Sequence, residues 1–394
     1  MNIVDVCGFY SETGGGVRSY VHHKLEAAAR AGHHITVIAP GPEDRMEPRR
    51  GGGIAWVKSP PMPFDPNYHR FSGRRAVWRV IDEAAPDIIE GSSPWGSGAL
   101  AGGWPGNAAR ALIFHQDFVA GYPYTAFGGI LSRPRIDALF APYWAHLRRL
   151  SARFDVTIAG GSWLAERLAG FGVHNPVAVP FGIESGRFSP ALRDPGLRRE
   201  MLELCGAPES GRLLLAVGRF HPEKRHGTII GAFALARAAR PDLALFIVGD
   251  GLARAGVERL ARRHRGVYLA GAVADRDRLA HIYASADALV HGSGAETYGL
   301  VVAEAIASGL PTVAPDVGGA AELARAAGSP CYALGDARAC AEAILAVVGR
   351  ERRPPGAAAA GPSSSEAHFE ALFSLYQRLI AQRRAGVDAP APRA

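Results

Sequence analysis

The stretch GRFHPEKRHG (218–227) sets two permanent cations, Arg219 and Lys224, five residues apart. They stand where an apolar strand pattern, LLLAV (213–217), gives way to a helical run starting near His226. Such a strand-to-helix passage lies at the carboxyl edge of an α/β sheet, where ligands bind, so an arginine and a lysine there call for an anion. A second stretch, ETYGLVVAE (296–304), sets Glu296 and Glu304 eight apart, the first in the loop after DALVHGS and the second about one turn inside the next helix. Between them Gly299, Leu300 and Val301 would present the free N–H groups of a helix N-terminus, an anion site. Carboxylates on either side are good acceptors for sugar hydroxyls. An acidic helix start complementing the helix dipole accounts for Glu296. It accounts poorly for Glu304, whose neighbours Ala303, Ala305 and Ile306 predict a partly buried helix.

A third candidate is the glycine loop TGGGVRSY (13–20). Gly14, Gly15 and Gly16 let backbone N–H groups approach a ligand, and Arg18 adds a fixed charge in the first turn of the following helix. The loop imitates a dinucleotide fingerprint, but seven residues separate the strand end at Cys7 from the glycines, where that fingerprint wants a tight turn. No acidic residue closes the second strand, ITVIAPG, so nicotinamide binding is disfavoured. No G-x-x-x-x-G-K-[ST] occurs, which excludes a P-loop enzyme.

The elements that must position these residues alternate. NIVDVC (2–7), GHHITVIAP (32–40), APDIIEG (85–91), ALIFHQD (111–117) and FDVTIAG (154–160) read as strands, and Val17, Val21, Leu25 and Ala28 share one helical face. A second series follows, with strands at 212–218, 243–251, 266–273, 287–293 and 310–316 and helical runs at 226–239, 252–264, 276–285, 300–308 and 319–327. This is the grammar of parallel sheets covered on both faces, in two Rossmann-like domains, 1–185 and 196–350. Substrate is expected in the cleft between two such domains. PPGAAAAGPSSS reads as a flexible connector (351–365), and a helix (366–384) follows, with Phe369, Leu372, Phe373, Tyr376, Leu379 and Ile380 on one face. Residues 385–394 read as a disordered tail.

At 394 residues the chain exceeds one ordinary core. Apolar content of 48% and a mean hydropathy near zero describe a soluble globular protein, with no run of the ~18 apolar residues that span a bilayer. MNIVDVCG opens directly as a strand, which predicts a cytoplasmic protein. Cys7, Cys205, Cys331 and Cys340 show no zinc or C-x-x-C spacing and are expected to be plain thiols. The net charge of +7 concentrates at 45–79, eight Arg/Lys against two acids, and at 133–153, five against one. Such clusters suit nucleic acid, anionic lipid, phosphorylated substrates or simply a solvated face.

Here the motifs add up to a resemblance. The Glu296–Glu304 segment resembles the E-x7-E signature of retaining GT-B glycosyltransferases, specifically glycosyltransferase family 4, and VGRFHPEKRHG resembles that family's G-R-x-x-x-x-K-G segment. VGDG (248–251), the run from His291 to Leu323 and the stretch from Gly14 to Pro40 match its other landmarks, in order, over nearly the whole chain. FYSETGGGVRSYVHHK is most similar to bacterial enzymes that use GDP-mannose to mannosylate lipids or related acceptors. The resemblance implies the GT-B architecture: α/β, two doubly wound Rossmann-like domains facing each other across a cleft, the amino-terminal one on the acceptor side, the carboxyl-terminal one binding the nucleotide sugar, and a C-terminal helix docking back. It also implies roles. Arg219 and Lys224 would clamp the diphosphate leaving group, and Glu304 would accept hydrogen bonds from the ribose. Glu296 would hold the transferred sugar with the N–H groups of Gly299 and Leu300. Gly15 and Gly16 would approach phosphates or acceptor, and His115 would lie near the donor sugar. The chain departs from the family at Phe181-Gly182-Ile183-Glu184, where H-G-V-D is common, in the two extra residues before Gly227, and at Tyr298, where Phe is common.

The expected reaction is retaining transfer of a hexosyl group, mannosyl from GDP-mannose foremost, to a lipid, glycan or small-molecule hydroxyl. With no enzymatic nucleophile in view, a same-face displacement fits, in which the departing phosphate takes the acceptor's proton. With Arg219 and Lys224 able to stand in for a metal at the diphosphate, metal independence is expected, with no cofactor beyond the GDP- or UDP-linked co-substrate. The alternatives are a UDP-sugar-dependent family member in polysaccharide or natural-product glycosylation, a nucleotide-sugar epimerase of similar fold, and a non-catalytic nucleotide-sugar binder. A nucleic-acid partner lacks an aromatic platform or binding motif and is not expected. Ile136, Leu139, Phe140, Tyr143, Trp144 and Leu147 form an apolar stripe flanked by arginines. It suits either core packing, with Pro142 interrupting the helix, or peripheral contact with an anionic membrane.

Overall fold

The computed structural model describes residues 1–12, 16–63, 65–349 and 362–388. The chain divides into two compact units, residues 1–115 with 137–180 and 365–394, and residues 116–136 with 181–364.

The strands of the first half are β1 (Asn2–Val6), β2 (His34–Gly41), β3 (Arg45–Arg49), β4 (Gly52–Lys58), the short ribbon β5 (Pro61–Met62) and β6 (Asp65–His69), then β7 (Ile88–Gly91), β8 (Ala109–Phe114), β9 (Val156–Ala159) and β10 (Pro176–Ala178). Eight of them form one sheet, ordered β10-β9-β8-β7-β1-β2-β4-β3 and parallel except for the β3–β4 hairpin. Helix Gly16–Arg30 follows β1 and lies on this sheet through Val21, Leu25 and Ala28. Beneath it the buried Lys24 ammonium pairs with Asp5 of β1 at 3.0 Å and with Glu90 of β7, locking the helix to two adjacent strands. Burying those charges is tolerable only because they are paired and bonded.

In the second unit β11 (Arg212–Val217), β12 (Leu243–Val248), β13 (Val267–Gly271), β14 (Ala288–Val290), β15 (Thr312–Pro315) and β16 (Cys331–Tyr332) form an all-parallel sheet ordered β13-β12-β11-β14-β15-β16. Its central strands, LLLAV and LALFIV, are buried on both faces, as a sheet covered by helices requires. Each sheet reverses its winding once, at β1/β7 in the first and at β11/β14 in the second. Ligands bind beyond the carboxyl ends of the strands at such a switch point.

Four expectations are revised. First, residues 45–58, the opening part of the basic stretch 45–79 in which no strand was expected, form the β3–β4 hairpin. Gly52 sits at φ +146°, where a Cβ would lie 1.9 Å from the Ile35 carbonyl oxygen, so glycine is what lets β4 pair with β2. Second, the C-terminal helix runs Ser365–Asp388, past the predicted end at 384. Arg383 bonds Asp155 and Asn107, and Arg384 bonds Asp87, which hold its last turns. Its apolar face packs into the core of the first unit. Third, residues 362–364 of the predicted connector are structured, since Ile183 N–H donates to the Ser363 carbonyl at 3.0 Å. The rest of that connector up to residue 361, and residues 389–394 of the tail, lie outside the described residues. Fourth, residues 116–136, read as part of a domain spanning 1–185, group with the second unit, where Tyr122 packs edge-on against His221 at 5.8 Å.

The apolar stripe of 136–147 is broken at Phe140 into helices Arg133–Leu139 and Ala141–Ser151, with Pro142 in the first turn of the second. Ile136, Trp144 and Leu147 are buried and serve packing, while Phe140 and Tyr143 are half-buried and Leu139 is exposed. No helix among the described residues is long and apolar enough to cross a membrane.

Candidate functional site

The site is assembled at the switch point of the second sheet by two loops and the start of a helix. The first leaves β11. Gly218 and Gly249 pack so closely that a Cβ on Gly249 would fall 1.9 Å from the Gly218 carbonyl oxygen, with both glycines at φ near +154°. Phe220 is buried, and its N–H bonds the Asp250 carbonyl at 2.8 Å, so the loop after β11 is stitched to VGDG after β12. Arg219, between these anchors, projects outward with 78% of its side chain exposed. The single 3-10 turn Pro222–Lys224 then turns Lys224 back toward β14, and helix His226–Ala239 starts beyond it.

The second loop follows β14. Gly292 lies against the Lys224 carbonyl, where a Cβ would fall 2.5 Å from the oxygen. This close approach brings Lys224 Nζ within 2.5 Å of Glu296 Oε1, across a separation of 72 residues. Burial alone pushes the Glu296 carboxyl up, but the Lys224 charge, helped by His291, overrides it and holds the group well below the usual carboxylate range. Lys224 is raised, because Glu296 and Glu223 outweigh its own desolvation. Both groups are therefore charged at neutral pH.

The third part is helix Leu300–Ala307. Its cap, Gly299, has φ +97°, and a Cβ there would stand 2.9 Å from Ala320 Cα, so glycine is demanded twice over. The N–H groups of Gly299, Leu300 and Val301 make no hydrogen bond to any described residue, whereas those of Val302 and Ala303 return to the Gly299 carbonyl. Three free donors and the positive end of a helix dipole thus stand beside Lys224 and Glu296. Glu304, one turn in, is 4% exposed, takes Arg276 on Oε1 at 2.9 Å and Tyr283 on Oε2 at 2.8 Å, and is raised by burial. A carboxylate has about four acceptor positions, so these two bonds do not use them all.

Among the expected residues, then, Lys224, Glu296, Gly299, Leu300, Val301 and Glu304 come together, with Arg219 exposed on the neighbouring loop. The residues expected from the first unit belong to its own sheet. Gly16 opens helix Gly16–Arg30 and Arg18 is exposed in its first turn. Gly15 lies outside the described residues. His115 directly follows β8, packs edge-on against Tyr20 at 5.0 Å, and is pulled down to about 4 by burial, hence neutral.

Two residues of the second unit were missed. Glu223 is buried, with Arg219, His221 and Lys224 all within 4.0 Å of its Oε1, a local counter-ion for both cations. His291 is buried at the end of β14, with Nε2 3.4 Å from Glu296 Oε1. The signals for them were slight: a glutamate inside a charged run and a histidine closing an apolar strand. Among the described residues no group of three His, Cys, Asp or Glu side chains is arranged to hold a metal.

Opposed charges, a free helix N-terminus and a buried carboxylate are the groups that a polyhydroxylated, strongly anionic molecule would call for. Comparison with known proteins gives the family. The model of the family described as Glycosyltransferase Family 4 matches residues 14–187, and that described as Glycosyl transferases group 1 matches 211–350. A GDP-mannose-dependent alpha-mannosyltransferase of Mycolicibacterium smegmatis is 31% identical over 349 residues, covering 84% of this chain and 83% of that protein. One of the same name from Mycobacterium tuberculosis is 33% identical over 314 residues, covering 78% and 77%. Among solved structures, a glycosyltransferase from Rickettsia africae superposes with a TM-score of 0.68 at 17% identity, over 96% of this chain and 98% of that one. The Anabaena protein Alr3699/HepE in complex with UDP gives 0.62 at 16%, over 98% of each chain.

Proposed function

The chain belongs to glycosyltransferase family 4, with two Rossmann-like domains of the GT-B fold, and we propose that it moves a mannosyl group from GDP-mannose, with retention of configuration, to a lipid, glycan or small-molecule hydroxyl. The observation that carries the proposal is the meeting of Lys224 with Glu296 beside the free N–H groups of Gly299, Leu300 and Val301. A nucleoside diphosphate leaves as a polyanion. Arg219, Lys224 and the helix N-terminus can receive its growing charge, which is where preorganised electrostatics act most strongly. Glu304, oriented by Arg276 and Tyr283, would take the ribose hydroxyls, and Glu296 those of the transferred sugar. In the first domain, Gly16, Arg18 and His115 would serve acceptor and donor sugar.

In the proposed step the bond from the anomeric carbon to the diphosphate oxygen breaks as the acceptor oxygen bonds to the same face. The acceptor's proton passes to the departing phosphate. The protein's own contribution is to hold charge and geometry. Two side-chain cations and a helix terminus would neutralise phosphate without a metal, so turnover should survive EDTA. Support for mannose and guanine comes from relatives named for GDP-mannose. UDP-sugars are the second reading, favoured by the UDP bound in the Anabaena protein.

Thermal melting against GDP, UDP, ADP and their sugars tests the reading, because a ligand at a hundred times its Kd stabilises by about 2.7 kcal/mol. GDP and GDP-mannose should raise Tm most. A shift with UDP-sugars alone would move the donor assignment, and no shift with any of them would overturn it.

A further inference from the structure

We infer that His291 is a positioning residue that keeps Glu296 aimed at the transferred sugar while Lys224 serves the diphosphate. The inference rests on the glycosyltransferase reading and adds a residue to it.

Ligand-free, Lys224 and Glu296 are bonded to each other. If Lys224 is to receive a diphosphate, its hydrogen bonds are drawn off toward phosphate oxygens, and Glu296, carried on a loop rather than a strand, loses its closest partner. Its second neighbour is His291, with Nε2 3.4 Å from the same oxygen, Oε1. Unlike Lys224, this histidine has little freedom to leave. It directly follows β14 and is 3% exposed, its N–H donates to the Val313 carbonyl at 2.8 Å, and its carbonyl accepts the Tyr332 hydroxyl at 2.8 Å. Its Nε2 is buried and makes no hydrogen bond to any described group, and Glu296 Oε1 stands 3.4 Å from it as an acceptor within reach of a small adjustment. A buried imidazole nitrogen without a partner is costly, and a proton on Nε2 directed at Oε1 removes that cost.

The geometry also divides the work of the carboxylate. Both basic groups address Oε1, and Oε2 has no hydrogen bond to a described residue. Anchoring one oxygen from β14 leaves the other in fixed orientation for a sugar hydroxyl, the kind of supporting contact that a binding group on a loop needs.

The test uses the full-length chain with His291→Leu, His291→Gln and His291→Asn, reading kcat and KM for the sugar nucleotide, Kd for the bare nucleoside diphosphate, and Tm. Glutamine can place its amide nitrogen near the position of Nε2, asparagine nearer that of Nδ1. His291→Leu and His291→Asn should lose about tenfold or more in kcat/KM for the donor, keep diphosphate affinity within about twofold, and His291→Gln should recover most of the loss. If the leucine variant fails to fold, the glutamine–asparagine pair decides. Near wild-type kcat/KM in the asparagine variant, equal losses of diphosphate and donor affinity, or no recovery in a glutamine variant with wild-type Tm would each overturn the inference. Failure of the underlying reading looks different: the wild-type protein would then bind no sugar nucleotide at all, and both would fall.

Discussion

At the scale of the residue, the site is organised around one lysine with two claims on it. Lys224 faces Glu296 at 2.5 Å and Glu223 at 3.9 Å, while Arg219 stands free in solvent with Glu223 as its nearest carboxylate. Arg219→Ala or Lys224→Ala should therefore cost ~2–4 kcal/mol of transition-state stabilisation, as deletions of preorganised charge do. Steady-state kcat/KM measures it, and near wild-type turnover in either variant removes that residue from the clamp. The two glutamates should separate by ligand. Glu304→Gln, which disturbs a carboxylate held by Arg276 and Tyr283, should weaken the bare nucleoside diphosphate. Glu296→Gln should spare it and weaken the intact sugar nucleotide. Calorimetry with both ligands reads the difference, and matching losses in the two variants would refute the division.

At the scale of the element, function depends on where helices begin and what lets loops approach. Helix Leu300–Ala307 has no side-chain cap; its start is made by Gly299 in a left-handed conformation against Ala320. Gly299→Ala would meet both the φ penalty and the 2.9 Å contact, so the helix start must shift and its free N–H groups move with it. Affinity for the nucleoside diphosphate should fall at least tenfold, and titration showing unchanged Kd would exclude this terminus from the site. The motif itself was readable along the chain, since the spacing of Glu296 and Glu304 around a turn is local. The hairpin at 45–58 was not. Arginines and three glycines imitate a solvent loop, and only the pairing of β4 with β2 shows what the glycines are for.

At the scale of the whole molecule, burial of histidines couples stability to pH. His226, 5% exposed and packed edge-on against Phe220, is drawn down to about 4, by burial first and then by His291 and Lys224; buried His368 is likewise drawn down to about 4. Their folded pKa values lie below the unfolded one, so the stability they contribute is present above about pH 6.5 and is lost as pH falls toward 4. At pH 5 the loss is about 2 kcal/mol for each. Glu90, raised to about 7 chiefly by burial, works in the opposite sense in the first unit, since acidification relieves its ionisation. Tm should thus fall between pH 7 and 5, and His226→Leu should flatten that fall; a flat wild-type profile would contradict it. By itself the sequence determined the alternation of strands and helices, two Rossmann-like domains, the apolar face of the last helix and the placing of Arg219 and Lys224 in one loop after a sheet strand. All of these follow from hydrophobic period, from glycine where the backbone must turn, and from charges spaced within one loop. The tertiary structure alone decided that Lys224 meets Glu296, that His291 stands behind it, that the C-terminal helix packs into the first unit and that 116–136 groups with the second. Periodicity reports that a face will be buried. It does not say by what, because apolar surfaces are interchangeable partners, and only the strand order β11-β14, with glycines at the crossing, brings residues 72 apart into contact.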